Sequence, residues 1–156
     1  MAERPGSRVE VEVSLAEGVV LPLPEAAVET AVRATLAAEG HDRGEISVAF
    51  LGDEEITALN RDYLEHDRPT DVISFALHDE GEAPLGDVYV GVPQALRQAE
   101  ELGVDPREEI LRLAVHGTLH VLGYDHPDGE DRLDSEMFHR QEEIVRGLLA
   151  ADGAGL

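Results

Sequence analysis

The sequence predicts an α+β protein, a small mixed sheet of about four strands packed with about five helices. Three observations predict it. Short segments alternate apolar and polar residues or run apolar for five or six positions, as strands do. Longer segments repeat their apolar residues at helical spacing, and most of these lie late in the chain. One of them, residues 106–122, is apolar on nearly its whole circumference, which marks a helix at the centre of the molecule. A chain of 156 residues can bury a sizeable core and is read as a single domain over residues 1–150, with a small, disordered tail over 151–156.

Val9, Val11 and Val13 alternate with Glu10 and Glu12 in a half-buried first strand. Pro22 and Pro24 introduce a helix over 25–39 with Val28, Val32 and Leu36 inward, closed by Gly40. Residues 46–51 form a second strand. Asp53 is read as the N-cap of a short helix carrying Ile56, Leu59 and Tyr63. A polar loop over 65–70 leads to a third strand, 72–77, and an acidic turn with Gly81 separates it from a fourth, 85–92. Pro93 starts a helix stopped at Gly103. Asp105, Pro106 and Glu108 then make a well-formed helix start, with Asp at the cap, Pro first and Glu third. A last amphipathic helix over 130–149 carries Leu133, Met137, Ile144 and Leu148 along one side.

The central helix carries one polar stripe, Glu108, Arg112, His116 and His120, each four after the last. A buried polar row must be satisfied; Glu108 can pair with Arg112, and a metal ion can satisfy the histidines. Gly123 stops the helix, and the chain returns through Tyr124 and Asp125 to His126. Three imidazoles can thus converge on one point, as a catalytic zinc with an open coordination position requires. The spacing His-x3-His-x2-Gly-x2-His is that of the long zinc-protease signature. The position of that signature's glutamate base, however, is Gly117.

Composition narrows the chemistry. With no Cys, disulfides and thiolate metal sites are excluded, which tilts a histidine site toward catalysis. No apolar run approaches membrane-spanning length and the first eight residues are polar, so a cytoplasmic protein that does not engage membranes is expected. The net charge is −22, and all 12 basic residues are Arg. Such acidity normally argues against a nucleic-acid partner, yet net charge is a whole-surface quantity, and a cleft with a few Arg beside a dication can be locally positive.

Three neutral imidazoles leave a zinc ion its full positive charge, enough to ionise a water near neutral pH, so metal-assisted hydrolysis is the expected reaction class. Ligands must be unprotonated, so metal occupancy should fall through the histidine pH range. The spacing leaves open whether the bond cut is a peptide or a phosphodiester. Asp125 is read either as a proton-carrying carboxylate or as a residue that closes the turn. Tyr124 and Met137 are read as packing, and His41, His66, His78 and His139 as surface residues.

Residues 116–126 resemble the H-G-x-L-H-L-x-G-Y-D-H signature of the YbeY family, the bacterial endoribonuclease and rRNA maturation factor. Asn60 with the segment Asp67-Arg68-Pro69-Thr70-Asp71-Val72-Ile73-Ser74-Phe75 is similar to that family's N-x-x-Y-R-x-x-D-x-P-T-D-V-L-S-F segment. Leu85-Gly86-Asp87-Val88-Tyr89-Val90 is similar to its L-G-D-I-x-I strand, and residues 98–103 and 137–142 also fall in family order.

The resemblance implies one zinc ion held by His116, His120 and His126, and a zinc-metalloprotease-like fold. It implies a single-strand-specific endoribonuclease acting in 3′-end maturation of small-subunit rRNA and in ribosome quality control. The partners it implies are single-stranded rRNA, the small ribosomal subunit, one of that subunit's proteins and a ribosome-assembly GTPase. The chain departs from the pattern at one place: the family's Arg after Tyr is here Leu64. Arg61, Arg68 or Arg112 is expected to supply the cation that contacts phosphate. The alternatives are a zinc peptidase-like amide hydrolase, which lacks its base at Gly117, and a ribosome-assembly factor with a structural zinc.

Overall fold

The structure is a computed structural model that describes residues 8–64, 66, 68–124 and 136–152. Among them lie four strands and five helices, in the order β1 (Arg8–Leu15), α1 (Glu25–Ala38), β2 (Arg43–Leu51), α2 (Asp53–Leu64), β3 (Val72–Ala76), β4 (Leu85–Gly91), α3 (Val92–Leu102), α4 (Pro106–Val121) and α5 (Glu136–Asp152). The strands form one mixed sheet in the order β1-β2-β4-β3. The α+β expectation holds.

β1, β2 and β4 run parallel, and β3 is antiparallel at one edge. β1 and β2 are parallel neighbours joined through α1, so part of the sheet is wound by a helical crossover, which the late clustering of helices did not suggest. In the antiparallel ladder Ile73 lies opposite Tyr89 and Phe75 opposite Asp87. Opposite residues share a face, so these point away from α4, while Val72 and Ser74 share the α4 face with Val88 and Val90.

α4 is the central element. It packs on β3 and β4 and is flanked by α1, α3 and α5. Ile110, Ala114, Val115 and Leu119 are fully buried, in one cluster with Val28, Val32 and Leu36 of α1 and Val48, Phe50, Val88 and Val90 of the sheet. The Asp105 side chain caps α4 by accepting from the Arg107 amide at 2.8 Å, as its sequence position predicts. The helix ends where Gly123 takes φ 104° and donates its amide to the His120 carbonyl.

Boundaries shift in several places. Asp53 does not cap α2. It is the first helical residue, and Glu55 accepts from the Gly52 amide at 2.8 Å instead, the back-reaching half of a capping box. Asp53 meets Arg97 of α3 in a two-pronged ion pair. β2 starts three residues earlier than its apolar run, at Arg43, because it pairs with β1 along the whole of that strand. Val92, expected to end the fourth strand, is the first residue of α3, and β3 stops at Ala76. α5 continues to Asp152, so Ala151 and Asp152 belong to the helix rather than to a tail; residues 130–135, expected to open it, and 153–156 lie outside the described residues. No helix among the described residues is long and apolar enough to cross a membrane.

Candidate active site

A cleft of about 720 Å³ opens between the β3 edge, α3, α4 and α5. His116 and His120 both line it. One helical turn apart on α4, their rings meet edge to face with centroids 4.7 Å apart, as the spacing predicts. His126 and Asp125 lie outside the described residues, which hold no group of three or more His, Cys, Asp or Glu placed to grip a metal ion.

The imidazole of His116 is held from α5. Nδ1 lies 2.7 Å from Oε1 of Gln141, and the Gln141 amide nitrogen donates to Glu142 at 2.9 Å. Glu142 in turn takes a two-pronged grip from Arg112, Nε at 2.8 Å and Nη2 at 3.0 Å. Burial pushes the Glu142 carboxyl up, but the hydrogen bonds from Arg112 and Gln141 outweigh it and hold it below the usual glutamate range.

These residues fit a zinc centre on two counts. An imidazole that donates from one ring nitrogen to a protein acceptor is the usual form of a metal-ligating histidine. The donors are imidazole nitrogens at helical spacing, a ligand type that suits zinc.

Arg112 does more than pair with Glu108 at 2.9 Å. It also meets Glu109 at 3.2 Å and Glu142, so three carboxylates share its charge. Four of its five N–H donors are thus turned to carboxylates, which weighs against Arg112 as the phosphate contact. Arg61 and Arg68 sit elsewhere. Arg61 is exposed on α2 and pairs with Asp62 at 3.3 Å. Arg68 is exposed in the loop before β3, where the buried Asn60 side chain donates to its carbonyl at 2.9 Å. Leu64, where the resemblance expects an Arg, is itself in the cleft wall and 48% exposed.

A polar cluster at the other end of the cleft escaped the sequence reading. The Gln98 amide donates to Asp71 at 3.1 Å and to Glu109 at 3.3 Å. Glu109 is only 4% exposed. Burial, with the Asp71 charge adding to it, pushes its carboxyl up despite Arg112 and Gln98. Asp71 also accepts from the Val72 amide at 2.8 Å and so fixes the start of the edge strand. With Asp71, Glu101 and Glu109 against Arg112, the fixed charge of the described wall is negative.

Met137 is both core and wall: 1% exposed, it packs in the main cluster and borders the cleft. Tyr124 packs against that cluster and donates its hydroxyl to Glu39 at 2.7 Å, tying the chain beyond α4 to the end of α1. Of the remaining histidines, His78 is structural, accepting from the Leu85 amide at 3.0 Å across the β3–β4 turn. His66 and His139 are exposed.

Gly117 faces the sheet rather than the cleft. A Cβ built there would run into Cγ1 of Val88, with Val88 Cγ2 at 3.2 Å and Val72 Cγ2 at 3.3 Å. The position that carries the base in zinc proteases therefore has no room for a side chain unless Val88 moves aside.

The Endoribonuclease YbeY family model matches residues 20–149. This chain belongs to that family. It is 46% identical over 118 residues to Endoribonuclease YbeY of Bacillus cereus (strain B4264) and of Bacillus thuringiensis (strain Al Hakam), covering 69% of this chain and 74% of each relative. Among solved structures it is similar to TM1509 from Thermotoga maritima, determined in solution, with a TM-score of 0.63 and 25% identity, over 92% of this chain and 90% of that one. The resemblance read from the histidine motif and its companion segments is thus borne out, and RNA hydrolysis agrees with the name that the YbeY relatives carry.

Proposed function

We propose that this chain is a zinc-dependent, single-strand-specific endoribonuclease that acts in the cytoplasm in small-subunit rRNA 3′-end maturation and ribosome quality control. One observation carries the reading. Two imidazoles stand side by side in a cleft, one of them held through Nδ1 by Gln141, in a chain matched to Endoribonuclease YbeY over residues 20–149. His116, His120 and His126 are the proposed zinc ligands. Zinc, when bound, supplies Lewis acidity at a phosphate oxygen and makes water more acidic.

The chain's own residues bind and orient the rest. Cleavage forms one bond to phosphorus, from water in hydrolysis or from the neighbouring 2′-OH in transesterification to a cyclic phosphate; the P–O bond to the leaving oxygen breaks, the nucleophile gives up its proton and the leaving oxygen takes one up. Asp125 is the proposed carrier of that proton. The described cleft wall is negative, and Arg61 and Arg68, exposed outside that wall, are the proposed cations that meet the RNA backbone. The partners proposed with this role are single-stranded rRNA, the small ribosomal subunit, one of its proteins and a ribosome-assembly GTPase.

The experiment is direct: labelled single-stranded and duplex RNA, with and without chelator, and the same with His116→Ala. Cleavage of single strands alone, lost on chelation and in the variant, supports the reading. Cleavage that survives His116→Ala points to a contaminating nuclease and removes the support. A structural zinc reads differently: His120→Ala then unfolds the chain instead of silencing a folded one.

A further inference from the structure

We propose that Gln141 is a positioning residue that sets the tautomer and ring orientation of His116, and that Arg112, acting through Glu142, sets Gln141. The purpose of the device rests on the reading above; the hydrogen-bond order itself does not.

The order follows from what each group can do. Arg112 only donates, and it grips both oxygens of Glu142. Glu142, held ionised by that grip, only accepts, so the Gln141 group 2.9 Å from Oε2 must be the NH2. The amide oxygen of Gln141 then faces the ring, 2.7 Å from Nδ1. An amide oxygen only accepts, so Nδ1 carries the proton. In a neutral ring that leaves the lone pair on Nε2, the atom that can ligate.

Reversing any one link sets two donors or two acceptors against each other. Gln141 is 6% exposed, so a mismatch there would leave unpaired groups with little water to satisfy them. The polarity thus runs one way, from a guanidinium that does not lose its proton to an imidazole that must present one chosen nitrogen. Glu108 and Glu109 hold the other side of Arg112, so the source of this polarity is itself fixed in place. Outer hydrogen-bond partners of ligating histidines typically matter 10–100-fold in metal affinity or activity, which makes a device of this length worth keeping.

The test reads the ring directly. Long-range proton–nitrogen spectra of the metal-free protein, at a pH where the ring is neutral, report which nitrogen of His116 is protonated. We expect Nδ1–H in the parent chain. In Gln141→Leu the preference is lost and zinc binds about 10–100-fold more weakly. In Glu142→Gln the amide of an unaltered Gln141 is free to turn over, and the tautomers mix. That variant keeps the test alive should Gln141→Leu fail to fold.

Nε2–H in the metal-free parent overturns the proposal. So does a folded Gln141→Leu with both tautomer and zinc affinity unchanged. A correct tautomer in a protein that binds no zinc and cuts no RNA would instead sink the functional reading and leave the positioning device standing.

Discussion

Val88 of β4 fills the space beside Gly117 of α4, and the fit is reciprocated one helical turn on, where a Cβ on Gly86 would lie 2.6 Å from Val121 Cγ1. Helix and strand approach so closely because each lacks a side chain where the other has a valine. The histidines of the next faces of α4 are held at the cleft by this contact, and the price is that residue 117 cannot carry a catalytic group unless Val88 moves aside.

Gly117→Ala therefore runs against the usual trend. In a helix interior, Ala for Gly gains about 1 kcal/mol, but overpacking here costs about 1–3 kcal/mol or more. We expect a lower denaturant midpoint, largely recovered by adding Val88→Ala. A more stable single variant would show that the packing yields.

Arg112→Gln leaves Glu108, Glu109 and Glu142 without their shared cation. Removing one partner of a fully buried pair costs about 3–5 kcal/mol. Here the Arg112 side chain is 21% exposed, and a loss of about 2–3 kcal/mol is expected once solvent screening is allowed for. Urea unfolding of the variant checks it.

Glu39 gives stability a pH dependence. Burial pushes its carboxyl up, but hydrogen bonds from Arg140 and Tyr124 prevail and hold it below the ordinary glutamate value of 4.5. A depressed folded-state pKa contributes stability that is full above 4.5 and is lost as pH falls through the lower, folded value. Glu39→Gln should remove that part of the acid sensitivity and cost about 1–2 kcal/mol at neutral pH. Denaturant midpoints of parent and variant between pH 3 and pH 7, about the range of carboxylate titration, should converge at the acid end.

Leu64 lines the cleft at the position where the resemblance read from the sequence expects an Arg. Leu64→Arg should tighten binding of single-stranded RNA and steepen its salt dependence by about one phosphate contact. Arg61→Ala and Arg68→Ala should do the reverse while leaving stability within about 0.5 kcal/mol, since both residues are exposed. Binding titrations at two or three salt concentrations separate these outcomes.

What could be read from the sequence was local. The His116–His120 pair, the Asp105 cap and the Glu108–Arg112 pair are fixed by spacing within one or two turns of one helix. The Gln141–His116 bond joins residues 25 positions apart, and Arg112 reaches Glu142 across 30. Nothing in a 3.6-residue period marks such partners, because they are set by how α5 lies on α4. Gln98, Asp71 and Glu109 went unread for the same reason: they come from α3, the residue before β3 and α4, and meet only once α3 and β3 flank the helix. Leu64 was legible only as a departure from a pattern; its place in the cleft wall is what gives that departure meaning.

The central claim is that His116 and His120 serve a zinc ion that RNA cleavage requires. The most direct measurement is cleavage of a labelled single-stranded RNA by chelated, metal-free protein, titrated back with zinc. The account predicts activity that rises and saturates at about one zinc per chain, with neither binding nor activity in folded His116→Ala. Full cleavage by the metal-free protein, or by His116→Ala without added metal, would contradict it.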